Sequence, residues 1–589
     1  MLIGGNGIME RKYYTNERSQ QIVIALLKAH GIRKVIASPG TTNITFVGSI
    51  QQDPWFEIYS SVDERSAAYM ACGLAAETGE PVALTCTGAT ASRNYMPGLT
   101  EAYYRKLPIL AITANQGSYI VGHHVAQNID RSNIPNDIAK LSVNIPFCKD
   151  AEDEWNCEIQ VNKAILELRR HGGGPVHINL ATRYSRDFSV KELPPTRVIR
   201  RVCVSDDFPS IPHGRIAIYV GSHKLFTIQE TEIIDRFCAT YDAVVICDHT
   251  SGYYGKYRVS YSLIGVQDQY YSEVRSIDLL IYLGEVSGDY DTGLNIQNVW
   301  RVNEDGEIRD TFKKLSYVFE MSELSFFIHY AKEGGNKDAF LKHCKAEYEK
   351  CYNQIPDLPF SNIWVAQQLS SQLPSNSVLH LGILNTLRSW NFFKVHSSIR
   401  TYCNVGGFGI DGNMSSLIGA ALANPDKLYY GILGDLAFFY DMNVLGNRHV
   451  GNNVRIMLIN NGRGTEFRNY NHPCSQFGCE ADAFMAAAGH YGNKSSDLVK
   501  QYAESLGYEY LSAADKSEFL QEYPRFLSEN MSKPMLFEVF TDSDDESKAL
   551  MFMHNIIIDE SKVRKDKIKN AVRTVMGEPA VRIIKKIIK

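Results

Sequence analysis

The sequence predicts an α/β protein built from three consecutive doubly wound parallel-sheet domains, and three observations carry that expectation. Short apolar runs of strand length alternate with longer segments of helical periodicity over most of the chain. The runs are apolar throughout rather than at alternate positions, as strands covered on both faces require. A glycine- and proline-rich break closes the first stretch of this alternation, which restarts near 200 and again near Asn362. The expected domains are 10–190, 200–345 and 355–545, with a basic C-terminal extension over 546–589.

In the first domain, Thr15 is placed to cap a helix carrying Ile22, Ile24, Leu26 and Leu27, which Gly31 ends before the strand Val35–Ala37. A short strand around Ile58 and Tyr59 leads to a helix that opens at Asp63-Glu64-Arg65 and stops at Gly79. Strands at Val82–Cys86 and Ile109–Thr113 flank a helix near 92–104, and a helix over 153–171 precedes the strand Val176–Leu180. The break at Gly172-Gly173-Gly174-Pro175 and the pair Pro194-Pro195 mark the end of this domain. The second domain restarts the pattern with runs at Ile216–Val220, Val244–Cys247, Leu279–Leu283 and Tyr317–Phe319. Gly221 and Gly284 there are read as turn glycines, without a cofactor motif. The third begins near Asn362 and continues to Val539.

With 44% apolar and 22% charged residues in 589, the composition is that of an ordinary multidomain protein, and a net charge of −5 gives no reason to expect nucleic acid as a partner. Twelve cysteines without a C-x-x-C pair argue for reduced thiols and against structural zinc. No run of about 18 apolar residues predicts a membrane span, and the opening MLIGGNGIMERK does not read as a signal peptide. The expected compartment is the cytoplasm. Ser561–Lys589 carries ten Lys or Arg against two acids, which suits an amphipathic basic helix docked on the protein's own acidic surface, a neighbouring subunit or an anionic membrane.

The third domain contains the most chemistry. The run Leu428–Leu433 ends in Gly434-Asp435, and Val454–Ile459 ends in Asn460-Asn461-Gly462. In a parallel sheet, ligands bind beyond the carboxyl ends of the strands, so Asp435 and Asn461, 26 positions apart, are expected side by side. A carboxylate, an amide oxygen and a loop carbonyl, that of Arg463, suit Mg2+ shared with a diphosphate. Taken alone, the two dipeptides also suit ordinary loops after strands. The loop Gly406–Gly412 lets the backbone approach a diphosphate closely, and the helix after it offers its N-terminal dipole; a tight irregular turn is the other reading. The GD…NN spacing resembles the signature of thiamine diphosphate enzymes. Their chemistry needs a carboxyl group that hydrogen-bonds the aminopyrimidine of the cofactor in a dry pocket, and Glu64 is the candidate. Acidic residues are also common in first helical turns for dipole reasons.

The segments SPG at 38–40, DERSAAY at 63–69, ALTCTGATASRNY at 83–95, GPVHINL at 174–180, GFGIDG at 407–412, GDLAFFYDMN at 434–443 and NNGRGTEF at 460–467 together resemble the menaquinone-pathway synthases of the thiamine diphosphate family. The resemblance implies pyrimidine-binding, central and diphosphate-binding domains, thiamine diphosphate and Mg2+ as cofactors, and a homodimer or homotetramer whose active sites are shared between subunits. It makes Glu64 the pyrimidine activator, Asp435, Asn461 and the carbonyl of Arg463 the metal ligands, and Gly407, Phe408, Gly409, Ile410, Gly434, Leu436 and Gly464 further cofactor contacts. Gln127 and Arg388 match substrate-contacting positions.

Three cationic positions of those synthases are not kept: Thr42, Gln116 and Val405 stand where they carry arginine. Losing a bidentate Arg–carboxylate contact costs about 2–5 kcal/mol. The expected substrate is therefore a different 2-oxo acid, with Thr42, Arg93, Gln127 and Arg388 as its binding residues and a carbonyl or enone compound as the acceptor. His123 and His124 suit proton donation near a carbanion, although two histidines in a loop are more often solvated surface. The resemblance implies a carboligase, which decarboxylates the 2-oxo acid and transfers the acyl-anion equivalent to the acceptor; the histidine pair keeps a phosphonopyruvate-type 2-oxo acid decarboxylase open beside it, and a non-catalytic scaffold of the same fold is the third reading.

Overall fold

A computed structural model describes residues 12–132, 134–289, 292–490 and 495–559; the basic stretch Ser561–Lys589 lies outside the described residues. The chain forms two compact units. The first comprises residues 1–203 with 306–318, and the second 204–305 with 319–589.

The first unit is organised on strands β1 (Lys34–Ala37), β2 (Glu57–Ser60), β3 (Val82–Cys86), β4 (Ile109–Asn115), β5 (Leu141–Ile145) and β6 (Val176–Ala181). Their order is β2-β1-β3-β4-β6-β5, every pairing is parallel, and helices cross over between them. β3 and β4 are buried almost from end to end because helices cover both faces, which is why their sequences read as unbroken apolar runs. A short strand β7 (Arg200–Cys203) follows. Residues 306–318 join this unit through Asp310, which accepts hydrogen bonds from Trp155 Nε1 at 2.8 Å and Arg197 Nη1 at 2.5 Å.

The second unit contains two further sheets. β8 (Ile216–Val220), β9 (Val244–Cys247), β10 (Arg258–Ser260), β11 (Ser276–Leu283) and β12 (Asn295–Val302) pair in parallel in the order β10-β9-β8-β11-β12. After β13 (Leu315–Glu320), strands β14 (Val378–Leu381), β15 (Arg400–Cys403), β16 (Tyr429–Gly434), β17 (Val454–Asn460), β18 (Glu509–Ala513) and β19 (Met535–Phe540) form a sheet ordered β15-β14-β16-β17-β19-β18, again all parallel. That order repeats the connectivity of the first sheet strand for strand. Buried Gln267 ties these two sheets' layers together, donating to the carbonyl of Met553 at 2.8 Å.

Several local expectations shift. The first helix begins at Arg18, not beside Thr15, whose hydroxyl instead accepts from the Glu17 amide at 3.3 Å. The single helix near 92–104 is two, Thr90–Asn94 and Met96–Arg105, with Pro97 in the first turn of the second, where its missing N–H costs nothing. β5 and β12 carry Ser, Asn and Gln among their apolar residues and so lack the continuous run that marks a covered strand.

Candidate functional site

Each α/β sheet of this connectivity has a switch point where neighbouring strands send their connections to opposite sides, and a crevice opens there beyond the strand ends. In the first unit that point lies between β1 and β3. Thr42, in the turn after β1, is only 3% exposed. Its hydroxyl shares a hydrogen bond with that of Thr87 and accepts from the Gly88 amide at 3.1 Å, so it is spent on joining the two turns. A Cβ at Gly88 would come within 2.9 Å of the Gln127 carbonyl oxygen, which shows that the segment around Gln127 lies directly on this turn. Gln127 and His124 both take left-handed backbone angles, φ +64° and +55°, costly for residues with a Cβ. The side chains of His123, His124 and Gln127 are exposed. Arg93 Nη2 donates to the Asp130 carbonyl at 2.9 Å, and Gln116 to the Tyr184 hydroxyl.

Glu64 is the first residue of the helix Glu64–Thr78. Asp63 takes the capping duty, accepting from the Arg65 amide at 3.0 Å and the Ser66 hydroxyl at 2.8 Å, which leaves Glu64 free of it. The half-buried Glu64 carboxylate receives one side-chain hydrogen bond, from Asn94 Nδ2 at 3.3 Å. The helix is held close to Met96–Arg105: a Cβ at Gly98 would sit 2.4 Å from that of Ala68.

In the second unit the equivalent switch point, between β14 and β16, opens a cavity of about 110 Å³. Strand register brings Gly434 opposite Ile459, so Asp435 and the 460–463 turn leave the sheet side by side. Asp435 Oδ1 accepts from the Leu436 amide and Oδ2 from the Gly462 amide, both at 2.7 Å. Only 3% of Asp435 is exposed, and burial pushes its carboxyl up to about 6 although backbone amides pull the other way. Asn461 Oδ1 is buried without a hydrogen-bond partner. One carboxylate and one unspent amide oxygen on a shared cavity, with Ile410, Leu436, Arg463 and Gly464 also lining it, make a donor set that fits a hard dication. Among the described residues no group of three or more His, Cys, Asp or Glu is arranged to hold a metal, so an ion here depends on amide and main-chain oxygens.

The Gly-rich loop carrying Gly407, Phe408 and Gly409 is pinned by Asn404 to the Gly412 carbonyl at 3.2 Å and by Asn413 to the Ile410 carbonyl at 3.0 Å. Of its residues, Ile410 reaches the cavity. The helix Asn413–Ala421 does begin after this loop, but its Ser415 amide is already bonded to the Asp441 carboxylate at 2.6 Å, so that part of its N-terminal field meets a fixed internal anion.

Sequence reasoning missed Glu546. It lines the same cavity at 7% exposure, accepts from the Asn362 amide at 2.9 and 3.0 Å and from the Thr541 hydroxyl at 2.8 Å, and burial pushes its carboxyl up to about 7. Its sequence context, TDSDDESK, is an acidic helix start like many others and carries no signal of depth. Arg388 is half-buried in a two-pronged pair with Glu466, both contacts at 3.0 Å, and Arg463 pairs with Asp482 at 2.7 Å. Arg388, expected to receive a substrate, thus carries a carboxylate partner of its own, as does Arg463.

A buried aspartate and an asparagine leave adjoining strand ends side by side in the second unit, and a glutamate opens a helix in the first. The profile of the thiamine pyrophosphate enzyme N-terminal TPP binding domain matches residues 18–134. The chain is 31% identical over 554 residues to the 2-succinyl-5-enolpyruvyl-6-hydroxy-3-cyclohexene-1-carboxylate synthase of Phocaeicola vulgatus, covering 91% of this chain and 98% of that protein. It is 31% identical over 555 residues to the synthase of the same name from Bacteroides thetaiotaomicron, with the same coverage. The corresponding protein of Flavobacterium psychrophilum is 27% identical over 547 residues, covering 88% and 95%. The chain belongs to the thiamine pyrophosphate enzyme family, in the group formed with these synthases.

Proposed function

We propose that this protein is a thiamine diphosphate- and Mg2+-dependent enzyme that decarboxylates a 2-oxo acid and transfers the acyl-anion equivalent to an acceptor. The observation that carries the reading is the meeting of Asp435 with the unspent oxygen of Asn461 on one cavity. When bound, the cofactor supplies the electron sink for loss of carbon dioxide. Asp435, Asn461 and the Arg463 carbonyl hold its metal, while Gly434, Leu436, Gly464 and the Gly407–Ile410 loop surround the diphosphate. Glu64, oriented by Asn94, holds the proton shared with the pyrimidine ring. Homodimers or homotetramers bring complementary halves from two subunits into each site. The twelve cysteines are thiols, which suits the reducing cytoplasm as its compartment.

The relatives' name describes their own reaction. For this chain we infer a different donor and acceptor, because Thr42 is spent on Thr87 and Gly88, Gln116 on Tyr184, and Val405 is buried and apolar. None of the three offers the charge that an acidic substrate needs. A 2-oxo acid with one carboxylate and a polar or phosphorylated tail suits the remaining groups, Arg93, Arg388 and Gln127. A simple decarboxylase is the second reading, favoured by the exposed pair His123 and His124 on the segment over the Gly88 turn. Carbon dioxide release should be measured with cofactor, Mg2+ and a panel of 2-oxo acids, with and without carbonyl or enone acceptors. Release that requires an acceptor supports the carboligase, release with free aldehyde supports the decarboxylase, and no turnover of any 2-oxo acid refutes both.

A further inference from the structure

The first unit contains a positive charge that the reading above leaves unused. Arg131 is 5% exposed; its Nη2 donates to the Ala114 carbonyl at 2.9 Å, while Nε and Nη1 are buried without a hydrogen-bond partner among the described residues. Arg131 borders a cavity of about 20 Å³ shared with Arg93, Thr113, Tyr95 and His177. Space of that size holds one water-sized or halide-sized particle and excludes the carbon skeleton of an organic acid. Among the described residues no carboxylate lines it. Asp130, the nearest acid in sequence, turns its carboxylate outward to the Ser132 amide and hydroxyl. His177 adds no negative charge, being an imidazole enclosed between the Thr113 and Ser142 hydroxyls, each at 2.7 Å, and pushed down to about 3 by burial and by the guanidinium groups of Arg131 and Arg93. A guanidinium keeps its proton at neutral pH and cannot shed its charge as a buried lysine does. A charge enclosed in this way calls for a counter-charge, and none of the described residues lining the cavity supplies one.

We propose that this cavity is a binding site for a small monovalent anion of chloride size, held by the Nε–H and Nη1–H groups of Arg131 with Arg93 closing its rim. The inference does not rest on the catalytic reading. Its test uses the full-length protein without cofactor. Thermal unfolding is followed in sodium gluconate at constant ionic strength while chloride or bromide replaces gluconate, and crystals grown in bromide are examined by anomalous scattering. The wild-type Tm should rise saturably by about 2 °C or more with either halide, and a bromide peak should lie within hydrogen-bond distance of Arg131 Nε and Nη1. Arg131→Met should melt at a halide-independent temperature. Should that variant fail to fold, Arg131→Gln takes its place, and the wild-type crystal measurement stands without either. A flat halide response together with water alone in the cavity overturns the proposal, as does a bound 2-oxo acid whose carboxylate enters it.

Discussion

Replacing Asp435 by asparagine separates what its carboxylate costs the protein from what it provides. Burial raises the carboxyl from 3.8 to about 6, and about two units correspond to ~3 kcal/mol of ionisation cost in the folded state at pH 7.5. The sign follows from linkage. Well below 3.8 the group is neutral in both states and nothing is lost; as pH climbs past 6 the unfolded chain has released its proton first, and the apo protein loses stability by that amount. Asparagine removes the charge but keeps one acceptor, so either the Leu436 or the Gly462 amide, each bonded at 2.7 Å, faces an NH2 group. That loss costs about 1–3 kcal/mol. In EDTA at pH 7.5, apo Asp435→Asn should therefore equal the wild type or exceed it by up to ~2 kcal/mol by this balance, and its stability should be flatter between pH 4 and 6. Affinity for the cofactor with Mg2+ should meanwhile fall by about 100-fold or more, since the ion loses its one carboxylate. Urea midpoints across pH and titration calorimetry read the two effects. Wild-type cofactor affinity in the mutant, or an apo protein weaker by more than ~2 kcal/mol, would refute the reasoning.

Glu546→Gln should remove a second pH dependence: its carboxyl is raised from 4.5 to about 7, so wild-type apo stability declines as pH rises through that window, and urea midpoints of the mutant should decline less. Glu64→Gln should leave cofactor binding nearly intact while slowing exchange of the cofactor C2 proton, followed by NMR, by orders of magnitude; an unchanged exchange rate ends the case for Glu64. Gly98→Ala should destabilise the protein by about 1–3 kcal/mol in denaturant titrations, because the new methyl overlaps Ala68. Isochorismate with 2-oxoglutarate should turn over poorly compared with shorter 2-oxo acids such as pyruvate or phosphonopyruvate. A kcat/KM above about 10⁴ M⁻¹s⁻¹ for that pair would return the chain to the relatives' reaction.

What the sequence made legible was whatever a covered parallel strand imposes on composition. β3, β8, β16 and β17 lie within a residue or so of their apolar runs, and the residues that follow them, Thr87, Gly221, Asp435 and Asn461, were placed by the same rule. β5 and β12 escaped because a strand that mixes polar side chains with apolar ones is locally indistinguishable from a loop. The charges were the least legible part. Nothing near Arg388 in sequence announces Glu466, 78 positions away, and nothing in NIDRSN marks Arg131 as enclosed. Burial and ion pairing of this kind are set by which turns the sheet order brings together.

If Arg388 receives the substrate as proposed, its pair with Glu466 turns recognition into a contest. An incoming carboxylate meets a rival already tethered at contact distance, whose effective concentration greatly exceeds the millimolar range of a metabolite. A ligand able only to match Glu466 gains nothing by displacing it. To win, it must bring an advantage the tether lacks, such as a phosphoryl or phosphonyl group with a third oxygen and a second negative charge, or else leave the pair standing and use its outer edge. Glu466 would on this view filter substrates by rejecting ordinary acids, and shortening it to aspartate should broaden the range of acids accepted rather than abolish turnover.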